Sequence, residues 1–207
     1  MTRQAPHEAH LIEYYTRLLQ EHGVDPRAVD WGTRESQALR FKVLCEVGSL
    51  ADASVLDVGC GLGDLYAYLR TTGVRVDYTG YDITPGLLEA ARRRFPEGRF
   101  IERNITSIPD SELLPSFDFV VASGIFYLRK AEPDAYLRHT VGRLFRLARR
   151  GIAFNSLSTR APEKSPGEYY ADPSLALRAC LDLTPRVLLR HDYLVHDFTV
   201  YLYPPRA

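Results

Sequence analysis

Val55-Leu56-Asp57-Val58-Gly59-Cys60-Gly61-Leu62-Gly63-Asp64 is the stretch on which the reading of this chain turns. Its first half is an apolar run suited to a buried strand, and its second half spaces three glycines two apart before a helical pattern begins. Glycine at 59, 61 and 63 lets the backbone turn sharply and brings main-chain groups against a ligand that side chains would fend off. Cys60 and Leu62 are the spacers. The junction has the outline of a nucleotide-binding loop. Asp64, however, stands where a dinucleotide fingerprint carries its third glycine, and an acid at a helix N-terminus repels pyrophosphate. A dinucleotide, and with it a dehydrogenase, is disfavoured.

Outward from that loop the pattern alternates. Residues 54–58 read as a strand, 64–71 as a helix stopped by Gly73, and 76–81 as a second strand. Thr84 followed by Pro85 reads as an N-cap with proline at the first helical position, opening a helix to Arg94. Residues 99–102 and 117–123 read as strands, 133–150 as a long helix and 152–156 as a fifth strand. The segment 157–171, rich in Ser, Pro, Gly and Glu, is too long for a simple connector. Asp172-Pro173 repeats the cap-and-proline signature and opens a helix to Leu183. Residues 186–193 and 197–203 are so close in sequence that they pair as an antiparallel hairpin. Two helices, 7–22 and 34–47, precede the first strand.

Repeated strand-helix alternation implies an α/β fold with a parallel sheet, right-handed crossovers and ligands outside the carboxyl ends of the strands. That rule selects 59–64, 82–84, 104–105, 123–127 and 155–158, all on one edge. Asp82 ends the second strand roughly 20 residues past the loop, where a carboxylate accepts from both ribose hydroxyls and rejects a 2'-phosphate. The buried strand, the glycines, the following helix and the terminal acid form one signal.

Composition narrows the partners. The 207 residues carry 26 basic and 26 acidic side chains, so the total charge offers no nucleic-acid footprint. Arg143, Arg146, Arg149 and Arg150 read as a solvated helix face. Cys45, Cys60 and Cys180 have no paired-ligand spacing, which predicts no metal site and a reducing compartment. With no apolar leader and no stretch of membrane-spanning length, a soluble cytoplasmic protein is expected.

At Leu56-Asp57-Val58-Gly59-Cys60-Gly61-Leu62-Gly63, Gly80-Tyr81-Asp82-Ile83 and Phe117-Asp118-Phe119-Val120-Val121-Ala122-Ser123 the chain resembles the class I S-adenosylmethionine-dependent methyltransferases. The resemblance covers about residues 54–156. It implies a Rossmann-like seven-stranded sheet, mostly parallel with a C-terminal antiparallel hairpin and helices on both faces. It also implies a helical lid over 1–50, a catalytic unit over 51–207, and S-adenosylmethionine as cofactor. That molecule has no phosphate but carries an ammonium and a sulfonium, so Asp57 and Asp64 are tolerated or useful near its methionine end. In the family an acid after the third strand often accepts from the adenine amino group; here Asn104 matches, with Ile105 the contact in the neighbouring register. Asn104 as a plain turn residue is an equal reading. Ile83 on one side and Ile105 or Ile125 on the other are expected to sandwich the adenine, with Ser123 also near the cofactor.

Arg34, Gln37 and Arg40 share a helix face by successive three-residue steps. Arg40 is the candidate to bind the cofactor carboxylate bidentately, against the reading of a wet helix face. Methyl transfer is an in-line displacement in which alignment and water exclusion outweigh an oxyanion site. Trp31, Phe126, Tyr127, Asn155 and Tyr169 are the expected acceptor contacts, and Tyr170 can add a cation-π contact. His191-Asp192 and His196-Asp197 each offer a histidine oriented by a carboxylate as a base, although surface or packing roles suit them as well. Ser123-Gly124-Ile125-Phe126 replaces the Asn-Pro-Pro-Tyr type motif of nucleobase amino methylation. The expectation is methylation of an oxygen or nitrogen on a small molecule. A protein or RNA methyltransferase, or a cofactor-binding module without turnover, are the alternatives.

Overall fold

The run at 54–58 becomes an interior strand of the sheet, paired on both sides. The computed structural model describes residues 6–128 and 131–205. Seven strands, β1 (Ser54–Val58), β2 (Asp77–Asp82), β3 (Arg99–Glu102), β4 (Phe117–Ala122), β5 (Ala148–Leu157), β6 (Val187–Leu194) and β7 (Asp197–Leu202), lie in the order β3-β2-β1-β4-β5-β7-β6. The first five are parallel; β7 runs antiparallel between β5 and β6. The order reverses at β1 and β4, which opens a crevice at the carboxyl ends of these two strands.

Helices α1 (Pro6–His22), α2 (Arg34–Leu44), α3 (Asp64–Thr71), α4 (Pro85–Arg94), α5 (Pro133–Leu147) and α6 (Pro173–Leu181) cover the sheet. Period-2 alternation along the strands divides the core into two layers. Leu56, Val58, Val120 and Phe154 pack with Val141 and Leu144 of α5 and Cys180 of α6. Val55, Phe119 and Val121 face the other way, onto Phe41 and Leu44 of α2 and Leu65 and Leu69 of α3. Burying each such side chain contributes about 1.5–3 kcal/mol of transfer free energy. Residues of α2 therefore belong to the same core as the central strands, and Leu19 of α1 packs on a third cluster with Leu62 and Leu87.

Several expected boundaries move. The long helix ends at Leu147, and β5 starts at once and runs ten residues because it is paired on both sides, from Phe117↔Ala148 to Leu157↔Asp197. Arg149 and Arg150 thereby leave the helix; Arg149 Nε donates to the Pro115 carbonyl at 3.2 Å and the Arg150 guanidinium lies 4.6 Å from the Phe119 ring centre. The expected solvated arginine face fails most clearly at Arg143, which is buried and donates to backbone carbonyls. Thr84 occupies the N-cap position of α4 in extended geometry, but its side chain makes no cap hydrogen bond. Its N–H is taken by Asp82 instead, at 2.8 Å. Asp172 does cap α6, accepting from Ser174 N–H at 2.7 Å.

Candidate active site

After β1 the backbone passes through three left-handed glycines, with φ of 77° at Gly59, 51° at Gly61 and 75° at Gly63. A Cβ at Gly59 would stand 2.3 Å from Ile125 Cγ2, and one at Gly61 would stand 2.9 Å from Val29 Cγ1. Here only glycine fits, for both conformation and space. The loop is pinned to β2: Gly59 N–H donates to the Tyr81 carbonyl at 2.7 Å, and Gly61 N–H donates to Asp82 Oδ2 at 2.8 Å. Asp82 Oδ1 takes the Thr84 N–H, so each carboxylate oxygen retains a lone pair for a further donor. Burial pushes the Asp82 carboxyl above its usual range, and these backbone donors pull against it.

Around this loop lies a cavity of about 650 Å³, a size typical of small-ligand sites. It spans the carboxyl edge from the β3 end to the β5 end. Residues of α1, the 3-10 turn Pro26–Val29, Trp31 and α2 close it from above. Trp31 rides on Gly124, where a Cβ would meet its ring at 3.1 Å.

A methyltransferase-domain family model matches residues 55–146. The protein named "Putative methyltransferase Rv1506c" of Mycobacterium tuberculosis (strain ATCC 25618 / H37Rv) is 36% identical over 154 residues, covering 71% of this chain and 90% of that protein. The chain belongs to the class I S-adenosylmethionine-dependent methyltransferases. Magnesium protoporphyrin IX methyltransferase from Synechocystis PCC 6803, solved with S-adenosylmethionine bound, has the same fold with a TM-score of 0.66 at 15% identity, over 97% of this chain and 98% of that one. A malonyl-[acyl-carrier protein] O-methyltransferase of Acetivibrio thermocellus is 34% identical over 83 residues, 40% of this chain and 29% of its own length.

The methyltransferase's cavity suits its cofactor. The glycine cradle admits a ligand where side chains would collide, and Asp82 has acceptors left for two hydroxyls. Asp57 lines the cavity from beneath and receives the Tyr78 hydroxyl at 2.7 Å. Burial, with Asp82 and Asp64 nearby, pushes its carboxyl up to about 7 in spite of that hydrogen bond. A cationic ligand group beside it would favour the ionised form. Cys60 also lines the cavity, but its thiol is packed under Gly80, where a Cβ would fall 2.7 Å from the sulfur, and burial pushes its pKa up. It is a filler rather than a nucleophile.

Some predicted contacts are already committed elsewhere. Gly63 serves as the left-handed N-cap of α3, and a Cβ there would press on Phe100 and Phe95 at 3.0–3.2 Å. Asp64 pairs with Arg94 at 2.8 Å and accepts from Gln37 Nε2 at 3.3 Å, tying loop, α2 and α4 together. Asn104 Oδ1 accepts both the N–H and the hydroxyl of Thr106, at 2.9 and 2.8 Å. Its acceptor capacity is thus spent on a turn, which corrects its expected role as acceptor from the adenine amino group. Ile83, Asn104, Ile105 and Ser123 all line the cavity.

Arg40 is the largest departure. It is buried, and its Nε donates to Asp197 Oδ2 at 2.8 Å. Nη1 donates to the carbonyl and hydroxyl of Ser36, and Nη2 lies 3.1 Å from His196 Nε2. Its guanidinium stacks 4.9 Å from the Trp31 ring centre. The expected bidentate carboxylate clamp is therefore already closed on Asp197 and its neighbours. A guanidinium only donates, so His196 accepts through Nε2 and carries its proton on Nδ1, a tautomer assigned from the hydrogen bond. Of the two ring nitrogens of His196, a candidate base, Nε2 is thus occupied by Arg40.

The other acceptor-side residues divide. Trp31, Tyr127, Asn155, Tyr170 and His196 line the cavity, whereas Phe126, Tyr169 and His191 do not. Phe126 packs inward, 5.5 Å from Phe154. Tyr169 is buried with its hydroxyl on Asp134. His191 sits on the outer strand β6 with Nε2 3.1 Å from the Val195 carbonyl, which removes it from the crevice. Asn155 Oδ1 accepts Gly124 N–H at 2.9 Å and its Nδ2 donates to Ser123 at 3.3 Å, so it braces the β4 loop. Tyr170 donates to Glu168 and accepts from Ser165 N–H at 3.0 Å.

Sequence reasoning missed Asp30. In a left-handed conformation at φ 59° it ends the 3-10 turn, and its Oδ2 accepts from Tyr14 at 2.6 Å and Tyr127 at 2.7 Å. Tyr15 then donates to Tyr127 at 3.0 Å. The Tyr127 carbonyl accepts Tyr169 N–H at 2.6 Å, and Leu128 bridges Glu168. Tyr127 thus joins the N-terminal helices to the 157–171 segment across the cavity. An aspartate after a proline-started turn is the only local sign of it. Among the described residues no cluster of His, Cys, Asp or Glu suits a metal, and no helix is long and apolar enough to cross a membrane.

Proposed function

We propose that this methyltransferase acts on an oxygen or nitrogen atom of a small molecule inside the covered cleft. The observation that carries the reading is the cover. Asp30 and Tyr127 link two covering segments over about 650 Å³, a space for a cofactor and a compact acceptor rather than a protein or RNA surface. Within the N-terminal unit expected over 1–50, α1, the turn Pro26–Val29 and Trp31 then act as the lid over a catalytic unit of 51–207, and α2 docks on the core of that unit. The relative named for malonyl-[acyl-carrier protein] presents its acceptor on a carrier protein, so an acyl group delivered into the cleft is one form such an acceptor can take.

S-adenosylmethionine supplies an electrophilic methyl group on a sulfonium. Asp82 holds the ribose hydroxyls, Asp57 faces the ammonium, the backbone at 59–61 supports the methionine end, and Ile83 and Ile105 flank the base. Trp31, Tyr127 and Tyr170 form the acceptor's walls and exclude water, so alignment is the main contribution of the protein. His196, with Nε2 already accepting from Arg40, orients the acceptor rather than deprotonating it.

The test is to supply methyl-tritiated S-adenosylmethionine with fractionated cell extract. Label is expected in the small-molecule fraction. Label confined to protein or RNA, with salt-sensitive association, would favour a macromolecular acceptor instead.

A further inference from the structure

The β3 end of the cavity hangs from a weak edge of the sheet. β3 has four residues and only β2 beside it. The chain after it lines the cavity continuously from Arg103 to Ser107, yet forms only the 3-10 turn Ile105–Ser107. Its backbone is tied to the sheet at its start, where Arg103 N–H donates to the Asp82 carbonyl at 2.9 Å; from Asn104 on its own hydrogen bonds are local, the two from Thr106 to Asn104 Oδ1 and Ser107 N–H to the Asn104 carbonyl at 3.1 Å. A segment held that way needs an external anchor to keep one conformation.

Arg143 is that anchor. It comes from the core-facing side of α5, is only 7% exposed, and does not line the cavity. Nε donates to the Ile105 carbonyl at 2.7 Å, Nη2 to the Ile108 carbonyl, and Nη1 to Asp110 Oδ1 at 2.9 Å. Arg146, three residues on and so on the same helix face, donates to the Asp110 carbonyl at 2.7 Å. The planar guanidinium presents its donors in a fixed fork, so three acceptors spread over 105–110 fix that segment's position and its orientation on α5. Val141 and Leu144 already supply apolar packing from the same helix. A buried arginine is costly unless its donors are met, and here they are met by the backbone of the cavity wall.

We propose that Arg143 is a positioning residue for the cofactor's adenine, acting through Ile105 without touching the ligand. The proposal rests on the S-adenosylmethionine site described above. Its test measures binding of S-adenosylhomocysteine by calorimetry, and of adenosine by displacement, to the wild type and to Arg143→Lys. A lysine keeps the charge but offers one ammonium that cannot span both carbonyls and Asp110. Both ligands are expected to bind five- to tenfold more weakly, by equal factors, while the ligand-free thermal midpoint shifts by only a few degrees. Arg143→Gln should weaken both further; should that variant fail to fold, the lysine variant decides alone. Affinities within twofold of wild type would overturn the proposal, as would a loss for S-adenosylhomocysteine with adenosine unchanged, since the defect would then lie at the methionine end. A wild type that binds neither ligand would overturn the cofactor site itself.

Discussion

The two halves of the cavity are built by different rules. On the cofactor side the deciding contacts join residues near in sequence: Asp82 to Thr84, Asn104 to Thr106, and Gly61 to Asp82 across one strand-helix-strand unit. On the acceptor side they cross most of the chain: Arg40 to Asp197 over 157 positions, Tyr15 to Tyr127 over 112, Tyr127 to Asp30 over 97. The first half is a property of a local motif; the second exists only once the fold has formed. Substitutions in the second half should therefore register first as stability; in the first half they should register as affinity, with stability added where, as at Asp57, the carboxyl is buried without a cation.

Arg40→Ala makes the hardest demand on that distinction. It leaves Asp197 buried without its cation, which costs about 3–5 kcal/mol when a buried pair loses one partner. Thermal unfolding should fall accordingly, and Asp197→Leu combined with Arg40→Met should recover much of the loss. If Arg40→Ala leaves the midpoint unchanged and only weakens cofactor binding, the arginine belongs to the cofactor half after all.

Asp57 gives the next largest effect, and it depends on pH. Its carboxyl is raised from 3.8 to about 7 by burial, so the folded state keeps a proton that the unfolded chain has released. The stability this contributes is complete below pH 3.8, declines as pH rises, and is gone above about 7. Asp57→Asn does not ionise and should gain stability relative to wild type between pH 5 and pH 8.5, on the order of 2 kcal/mol. Midpoints measured across that range check it; a difference that stays flat would mean that Asp57 is not strained by ionisation. The same variant should bind S-adenosylhomocysteine more weakly, having lost its charge toward the ammonium.

Tyr127→Phe removes one hydroxyl from the Asp30 node. A loss of about 1 kcal/mol is expected, with faster proteolysis in residues 6–30 and faster cofactor release. Unchanged release would separate the node from closure. His191→Ala is the smallest: within about 0.5 kcal/mol of wild type, as for a partly exposed site outside special features, and without effect on cofactor affinity. A turnover defect specific to it would bring β6 into the acceptor site.

The same division decides what could be read in the sequence. Strand and helix periods, the proline-started helices and the glycine loop are local signals, and among the described residues they located the seven strands and six α-helices, but not the 3-10 turns such as Pro26–Val29. Boundaries failed where tertiary pairing extends an element, as β4 does for the start of β5. Arg143 was misread because a helical pattern registers a charge as a solvent-facing residue, whereas the carbonyls that satisfy it belong to a segment more than 30 positions away. Arg40 lay on the expected face and lines the expected cavity, but its partners, Asp197 and His196, lie more than 150 positions away in the sequence and leave no mark near residue 40.

The most direct measurement is calorimetric titration of S-adenosylhomocysteine into the wild type and Asp82→Ala. One-to-one binding by the wild type, weakened about 100-fold (about 2.7 kcal/mol) in a variant that remains folded, is the predicted result. Equal affinity for the two proteins, or displacement of the ligand by micromolar NAD, would contradict the assignment of the loop and Asp82 to the adenosyl group.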